Sequence, residues 1–329
     1  MFILPFLFSA CALIDDDLSV CGEKIVTDYQ LQLQTELSLQ LQTELVTETE
    51  VPVRNALQKW LNPIFTETAK DVDLRFFSTE TDELQYRIKE IINDNRKSYT
   101  FQLPKDDYIH LGIANIADNN HLRIKEGDHG TTMELDMPSK SELSSLNTGV
   151  FTARKLMSIG DTSASFDIHL YMVTCAIAIV IDTTRCDSLV SMRSTIFGAA
   201  SSFRMYDSLY VYDRDYRVMM DEVEVEMNDP MLAPRRAPGK SLAQYVLMAG
   251  STFPTADNRP WSVEVRTTLT GNRITTTRLT IGQPVQAGTL RILRAHVDGQ
   301  GGVQPDEGQE VGASVELDWK DGGEHEIDI

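Results

Sequence analysis

The sequence predicts an all-β protein of two β-sandwich domains in tandem, with a few short helices, and three observations carry that prediction. Apolar residues alternate with polar ones over many short runs. Those runs recur every 10–12 residues, with acidic, Asn, Gly or Pro turns between them. The 329 residues correspond to about two domains.

Met1 to Ala10 reads MFILPFLFSA and stops at Cys11. The run is too short for a bilayer, which needs ~20 apolar residues, and has the length of an export-signal core. Ser9 and Ala10 before Cys11 form a lipobox, so Cys11 is the expected lipidation site. Phe8 stands where Leu is usual, and no Lys or Arg precedes the run, which places the expected charged region upstream of Met1. A buried N-terminal strand with a core cysteine is the alternative. Stable attachment takes more than one acyl chain, which a fully acylated cysteine supplies. Asp15, Asp16 and Asp17 follow in an acidic tether. The expected organisation is signal peptide 1–10, lipidated tether 11–22, and sandwiches 23–160 and 161–329 joined near Gly160.

Gln30 to Leu45 reads QLQLQTELSLQLQTEL, with Leu31, Leu33, Leu37, Leu39, Leu41 and Leu45 all at odd positions. That is period-two alternation with one apolar and one wet face. Extended, the run would reach ~50 Å, so a bend, a break or a crossing between sheets is expected. Val51–Leu61 has helical spacing after Pro52 and reads as a short helix or turn. The strands expected next are 72–77, 84–92, 98–103, 108–116, 121–126 and 131–136. The polar stretch 139–147 precedes strand 149–159 and a long strand 166–182.

The second half repeats the pattern at 208–213, 216–227, 261–270, 273–281, 289–297 and 314–319. A hairpin turn is expected around Thr270-Gly271-Asn272. Residues 230–239 read as loop, and SLAQYVLMAG (241–250) reads as a helix ended by Gly250.

Thirty Lys and Arg against 49 Asp and Glu leave a formal charge of −19. That balance argues against nucleic acid, whose binding rests on cations neutralising phosphates, and against polybasic attachment to anionic lipid. The six histidines lie mostly in alternating strands, outside any metalloprotease spacing, and no serine sits in a nucleophile elbow. The alternate acids from Asp221 to Glu226, and the Asp213/Asp215 pair, match no calcium loop. No catalytic residue, metal or cofactor is expected. With Cys11 lipidated, three cysteines remain. Cys175 and Cys186 flank the strand AIAIVI, so they are candidates for a disulfide across a strand and its turn, or for two free buried thiols.

A lipobox cysteine followed by IDDDLSVC (14–21) resembles the start of the FimB-type fimbrial subunits, the lipoprotein anchor and accessory subunits of Bacteroidales type V fimbriae. DVDLRFF (71–77), SYTFQLPKDDYIHLGIANI (98–116), the junction from GVFTARKLMSI into FDIHLYMVTCAIAIVI, and GASVELDWKDGGEHEIDI (312–329) resemble that family's strands more loosely. The LQLQTEL duplication departs from its pattern. The resemblance implies transthyretin-like sandwiches, a surface-exposed lipoprotein of the outer membrane, and other fimbrial subunits as partners. It also implies polymerisation by β-strand exchange, in which a strand from one subunit fills a groove in its neighbour. Stalk subunits of this class lose their lipidated segment by cleavage after an arginine, for which Arg54, the first in the chain, is the candidate. Anchor subunits keep the lipid. The competing expectation is a surface β-sandwich lipoprotein that binds a glycan. Against it stands the scatter of Trp60, Trp261 and Trp319 along the chain.

Overall fold

The computed structural model describes residues 24–34, 51–66, 68–92, 97–127, 131–138, 142–225, 244–309 and 311–318. The expected signal and acidic tether with Cys11 and Cys21, the second LQLQTEL copy, the expected loop 230–239 and Trp319 lie outside them. In chain order the elements are β1 (Lys24–Gln34), α1 (Val51–Leu61), β2 (Asp71–Ser78), β3 (Leu84–Ile91), β4 (Ser98–Pro104) and β5 (Asp106–Ala114). There follow β6 (Arg123–Lys125), β7 (Glu134–Asp136), β8 (Glu142–Ser144), β9 (Phe151–Ile159), β10 (Ala164–Met172) and β11 (Cys175–Asp182). Then come β12 (Leu189–Phe197), β13 (Ser202–Arg204), β14 (Leu209–Val211), β15 (Arg217–Met219), β16 (Asp221–Val223) and β17 (Tyr245–Thr252). The last are β18 (Trp261–Leu269), β19 (Ile274–Ile281), β20 (Leu290–Val297), β21 (Val303–Pro305) and β22 (Val311–Asp318).

The fold is all-β with sandwich-like layers. The first sheet runs β3-β2-β5-β9-β10-β1-β4, and the second β16-β17-β11-β20-β21. The third is β22-β19-β18-β12-β15-β8, and a small fourth is β14-β13-β7-β6. The second and third sheets form a sandwich. Ile177, Ile179 and Ile181 of β11 and Leu293 of β20 meet Met192 and Ile196 of β12, Val263 and Val265 of β18 and Leu279 of β19 in one core cluster. Period-two geometry aims these side chains at the same interior.

The opposite face of the second sheet carries Ala176, Ala178, Val180, Leu247 and Ala249. It joins the helix stripe Val53, Ala56, Leu57 and Leu61, and the inward face of the first sheet, in a second core. Buried residues at i, i+3, i+4 and i+8 make α1 amphipathic, as its spacing predicts. Small alanines let it lie close against β16 and β17. The two cores therefore each draw on both halves of the chain.

Several expectations change, among them the strand over 216–227, which divides at Met220 into β15 of the third sheet and β16 of the second. The long strand 166–182 breaks at Val173–Thr174, where Val173 N–H bonds to Val150 C=O and Val150 N–H to the Thr174 hydroxyl. Its first half, β10, belongs to the first sheet and its second half, β11, to the second. The chain thus passes from the first sheet to the second after Met172. Residues 245–252 are the strand β17 and not a helix. β17 lies between β16 and β11 and is buried on both faces, and a doubly buried strand reads as a continuous apolar run with no alternation to mark it. Gly250 gives that strand its close approach to Ile196 and Met220, where a Cβ would sit 3.0 Å from Ile196 Cδ1.

The disulfide between Cys175 and Cys186 is absent: both thiols are free and buried. Cys175 opens β11, whose seven steps to Asp182 carry the chain ~23 Å away. Four more residues recover at most ~14 Å, which leaves the pair beyond the ~7 Å Cα separation that a disulfide tolerates. The Cys175 thiol instead contacts Phe253 C=O at 3.6 Å, and burial pushes its pKa up. The β18–β19 hairpin forms as expected. Gly271 (φ 79°) and Asn272 (φ 58°) both take the left-handed conformation that its tight turn needs.

Candidate functional site: the seat of the first strand

The alternation that begins at Gln30 extends upstream to Lys24, and together they make β1. Ile25, Thr27, Tyr29 and Leu31 are buried, while Val26, Asp28 and Gln32 are exposed. β1 is not at the sheet edge. It runs parallel to β10 (Thr27 opposite Ala164, through Gln34 opposite Tyr171) and antiparallel to β4 (Lys24 opposite Pro104, through Gln30 opposite Ser98). Both its neighbours bond to it along their length, and among the described residues β4 pairs in the sheet with β1 alone.

Tyr29 is the centre of this seat and is fully buried. Its ring lies 5.3–6.2 Å from the rings of His110, Phe101, Tyr99 and Phe76, mostly edge-on. Such aromatic pairs contribute ~0.5–1.5 kcal/mol each beyond the area they bury. The Tyr29 hydroxyl lies 2.8 Å from His110 Nε2, and His110 Nδ1 lies 3.0 Å from Arg75 C=O. A carbonyl only accepts, so Nδ1 carries the proton and Nε2 accepts from Tyr29. His110 stacks on Phe76 at 4.5 Å. Burial lowers its pKa to about 4, and the nearby Lys155 ammonium acts in the same direction. The imidazole is therefore neutral, and its two nitrogens are both paired.

Lys155 stands opposite His110 in the β5–β9 register, at a position whose phase points into the core. A buried ammonium is costly. The side chain stays exposed and donates to Asp167 C=O at 3.0 Å. Ladder pairing between β9 and β10 is confined to Tyr171–Thr152 and Met172–Phe151, so the sheet is split beside the β1 seat.

On the other face of β2, Asp73 and Arg75 are nearly fully buried. Asp73 accepts two bonds from Arg75 (both 3.1 Å) and two from Arg87 (2.8 and 2.6 Å), and Arg75 also reaches Glu126 at 2.8 Å. Burial alone would raise the Asp73 pKa, but the two guanidiniums outweigh it and hold the carboxyl below its usual range. This network ties β2 and β3 under the fourth sheet. Asp213 accepts from Ser201, and Arg214 bonds to Asp136 and Met137 C=O, so Asp213 of the acidic pair belongs to a structural clamp, whereas Asp215 is exposed.

Arg54 lies in the first turn of α1, between the buried Val53 and Ala56. Proteases cleave extended, exposed loop tips, and here the backbone is helical and held by its apolar stripe. Trp60 is partly buried, beside Asp221, and Trp261 is 2% exposed. The two form no shared platform. Among the described residues no three His, Cys, Asp or Glu converge as a metal site. The Tyr29–His110 lock was not foreseen from sequence. The clue was phase: His110 shares the core-facing positions of Tyr108, Gly112 and Ala114, where an imidazole needs a partner.

No family model matches the chain, and no curated protein matches it. Solved structures do share the fold. A proposed adhesin from Bacteroides ovatus aligns at a TM-score of 0.52 and 10% identity, over 89% of this chain and 99% of that one. A proposed polysaccharide-binding protein from Bacteroides thetaiotaomicron aligns at 0.50 and 8% identity, over 86% and 99%. The fimbrial anchor protein Mfa2 from Porphyromonas gingivalis aligns at 0.50 and 10% identity, over 84% of this chain and 91% of that one. At these identities the likeness is one of fold.

Proposed function

We propose that this chain is a non-enzymatic fimbrial subunit, lipid-anchored through Cys11 at the outer membrane, that keeps its own first strand and attaches or terminates filaments assembled by strand exchange. The observation that carries this reading is the seat of β1. A subunit that accepts a foreign strand must vacate a groove, with its unpaired ladder edges and apolar pockets. Here that groove is filled from within, by a strand whose Tyr29 is packed among four rings and bonded to His110. Cleavage after Arg54 would free β1, and the packed helix around Arg54 opposes it. The fold shared with a fimbrial anchor protein and with proposed adhesins supports the same reading.

The test is the composition of filaments. Purified surface filaments should carry this protein at one end with its β1 segment intact by mass spectrometry, and Cys11→Ala should release it from membranes. Its absence from filaments, with their length and attachment unchanged in a deletion strain, would overturn the proposal. A Cys11→Ala protein that stays membrane-bound would remove the lipid anchor from it.

A further inference from the structure

The third sheet turns one face away from the sandwich core, and a row of side chains crosses it in register. Arg217 of β15 stands opposite Phe197 of β12, Phe197 opposite Ser262 of β18, and Ser262 opposite Thr280 of β19. Arg278 lies two residues from Thr280 on the same face of β19. With Asp215 and Arg259 from the adjoining loops, these residues line an open cleft of about 590 Å³.

Three guanidiniums and one carboxylate line this cleft, with Glu264 opposite Arg278 and Glu142 beside Arg217 at its rim, on a chain whose net charge is −19. The arginines are held in place rather than neutralised. The Arg278 and Arg217 guanidiniums lie 4.6 and 5.3 Å from the centroid of the same Phe197 ring, so the two charges are within about 10 Å of each other. Arg278 Nε donates to Ser262 Oγ at 3.1 Å, and Arg259 stacks on Tyr212 at 5.1 Å. The carboxylate nearest Arg217, that of Glu142, is 3.9 Å away and half exposed, a weak pair. Each guanidinium thus keeps donors for a ligand, and guanidinium is the group best shaped to grip a carboxylate through two bonds.

The remaining lining narrows the ligand. Asp215 repels a polyanion but accepts bonds from hydroxyl donors, and the Ser262 and Thr280 hydroxyls both donate and accept. One anionic group among many hydroxyls is the chemistry of an acidic sugar. We propose that this cleft binds a carboxylate-bearing sugar residue, with Arg217 and Arg278 on the carboxylate and Asp215, Ser262 and Thr280 on the hydroxyls. This site is independent of the fimbrial reading, because it lies in the C-terminal sandwich, away from β1.

The test is titration calorimetry of the detergent-solubilised full chain with a uronate-terminated tetrasaccharide, its neutral counterpart and an Asp/Glu-rich peptide of similar length. The expected result is saturable binding of the uronate sugar only, weakening as salt rises. Arg278→Gln and Arg217→Gln should each weaken it at least about tenfold, while their urea midpoints stay those of the parent. Lys59→Gln, in the separate cleft beside α1, should change nothing. Equal affinity for the neutral sugar would overturn the proposal, as would binding of the peptide in place of the sugar or no binding at all. Loss of affinity in the arginine variants only alongside a lowered urea midpoint would also count against it.

Discussion

Acid should unlock the first strand, because His110 is neutral and sealed in the fold but free to take a proton once unfolded. Its pKa falls from an ordinary 6.5 to about 4 in the folded protein. A depressed folded pKa gives stability that is complete above pH 6.5 and is lost progressively as pH falls toward 4. With those two values, linkage gives a loss of about 2 kcal/mol between pH 7.5 and 5.0, and roughly 3 kcal/mol at full protonation. Asp73 is held below its usual range, so its own loss comes at lower pH and does not mask this window. The perturbation is His110→Gln, which does not titrate and whose amide oxygen can still accept from Tyr29. Urea unfolding of both proteins at pH 7.5, 6.0 and 5.0 should show the parent losing about 2 kcal/mol more than the variant across that range. Equal pH dependence, within ~0.5 kcal/mol, would refute the buried, neutral imidazole and with it the lock on β1.

Four further outcomes follow from the same structure. Tyr29→Phe, which leaves His110 Nε2 without its donor, should cost about 1–3 kcal/mol in urea unfolding and raise hydrogen exchange along β1 and β4. Asp73→Ala, which leaves the buried Arg75 with Glu126 as its carboxylate partner and the Met133 sulfur beside it, should cost about 3–5 kcal/mol, with Asp73→Leu/Arg75→Met recovering much of it. Peptide mapping after alkylation should find Cys175 and Cys186 unmodified in the folded protein and both modified in denaturant without reductant; a requirement for reductant would restore the disulfide. An arginine-specific protease should leave the Arg54–Asn55 bond of the folded chain intact, and Leu57→Ala, by loosening α1, should make it cleavable; rapid cleavage of the parent would favour a stalk role.

Much of this architecture is local information. Alternating residues place Ile25, Tyr29 and Leu31 on one face of β1, and i, i+4 spacing makes a helix of Val53–Leu57, because side-chain direction follows backbone period alone. The Gly271-Asn272 turn is equally legible, since few residues tolerate its left-handed backbone. Partnership is not local. Nothing in residues 24–34 shows that β1 lies parallel to β10, a strand some 140 positions away, nor that it sits inside the sheet rather than at its edge. β17 reads as a helix in isolation because Leu, Met and Ala favour helices, and it is a strand because β16 and β11 supply its ladder. The all-β class, the strand phases and the acidic charge balance are legible in the chain alone. Which strand fills the first sheet, that the two thiols stay apart, and that His110 has Tyr29 for a partner emerge from packing between distant segments. Those outcomes depend on contacts between distant segments, and the backbone period that encodes each segment says nothing about its neighbour.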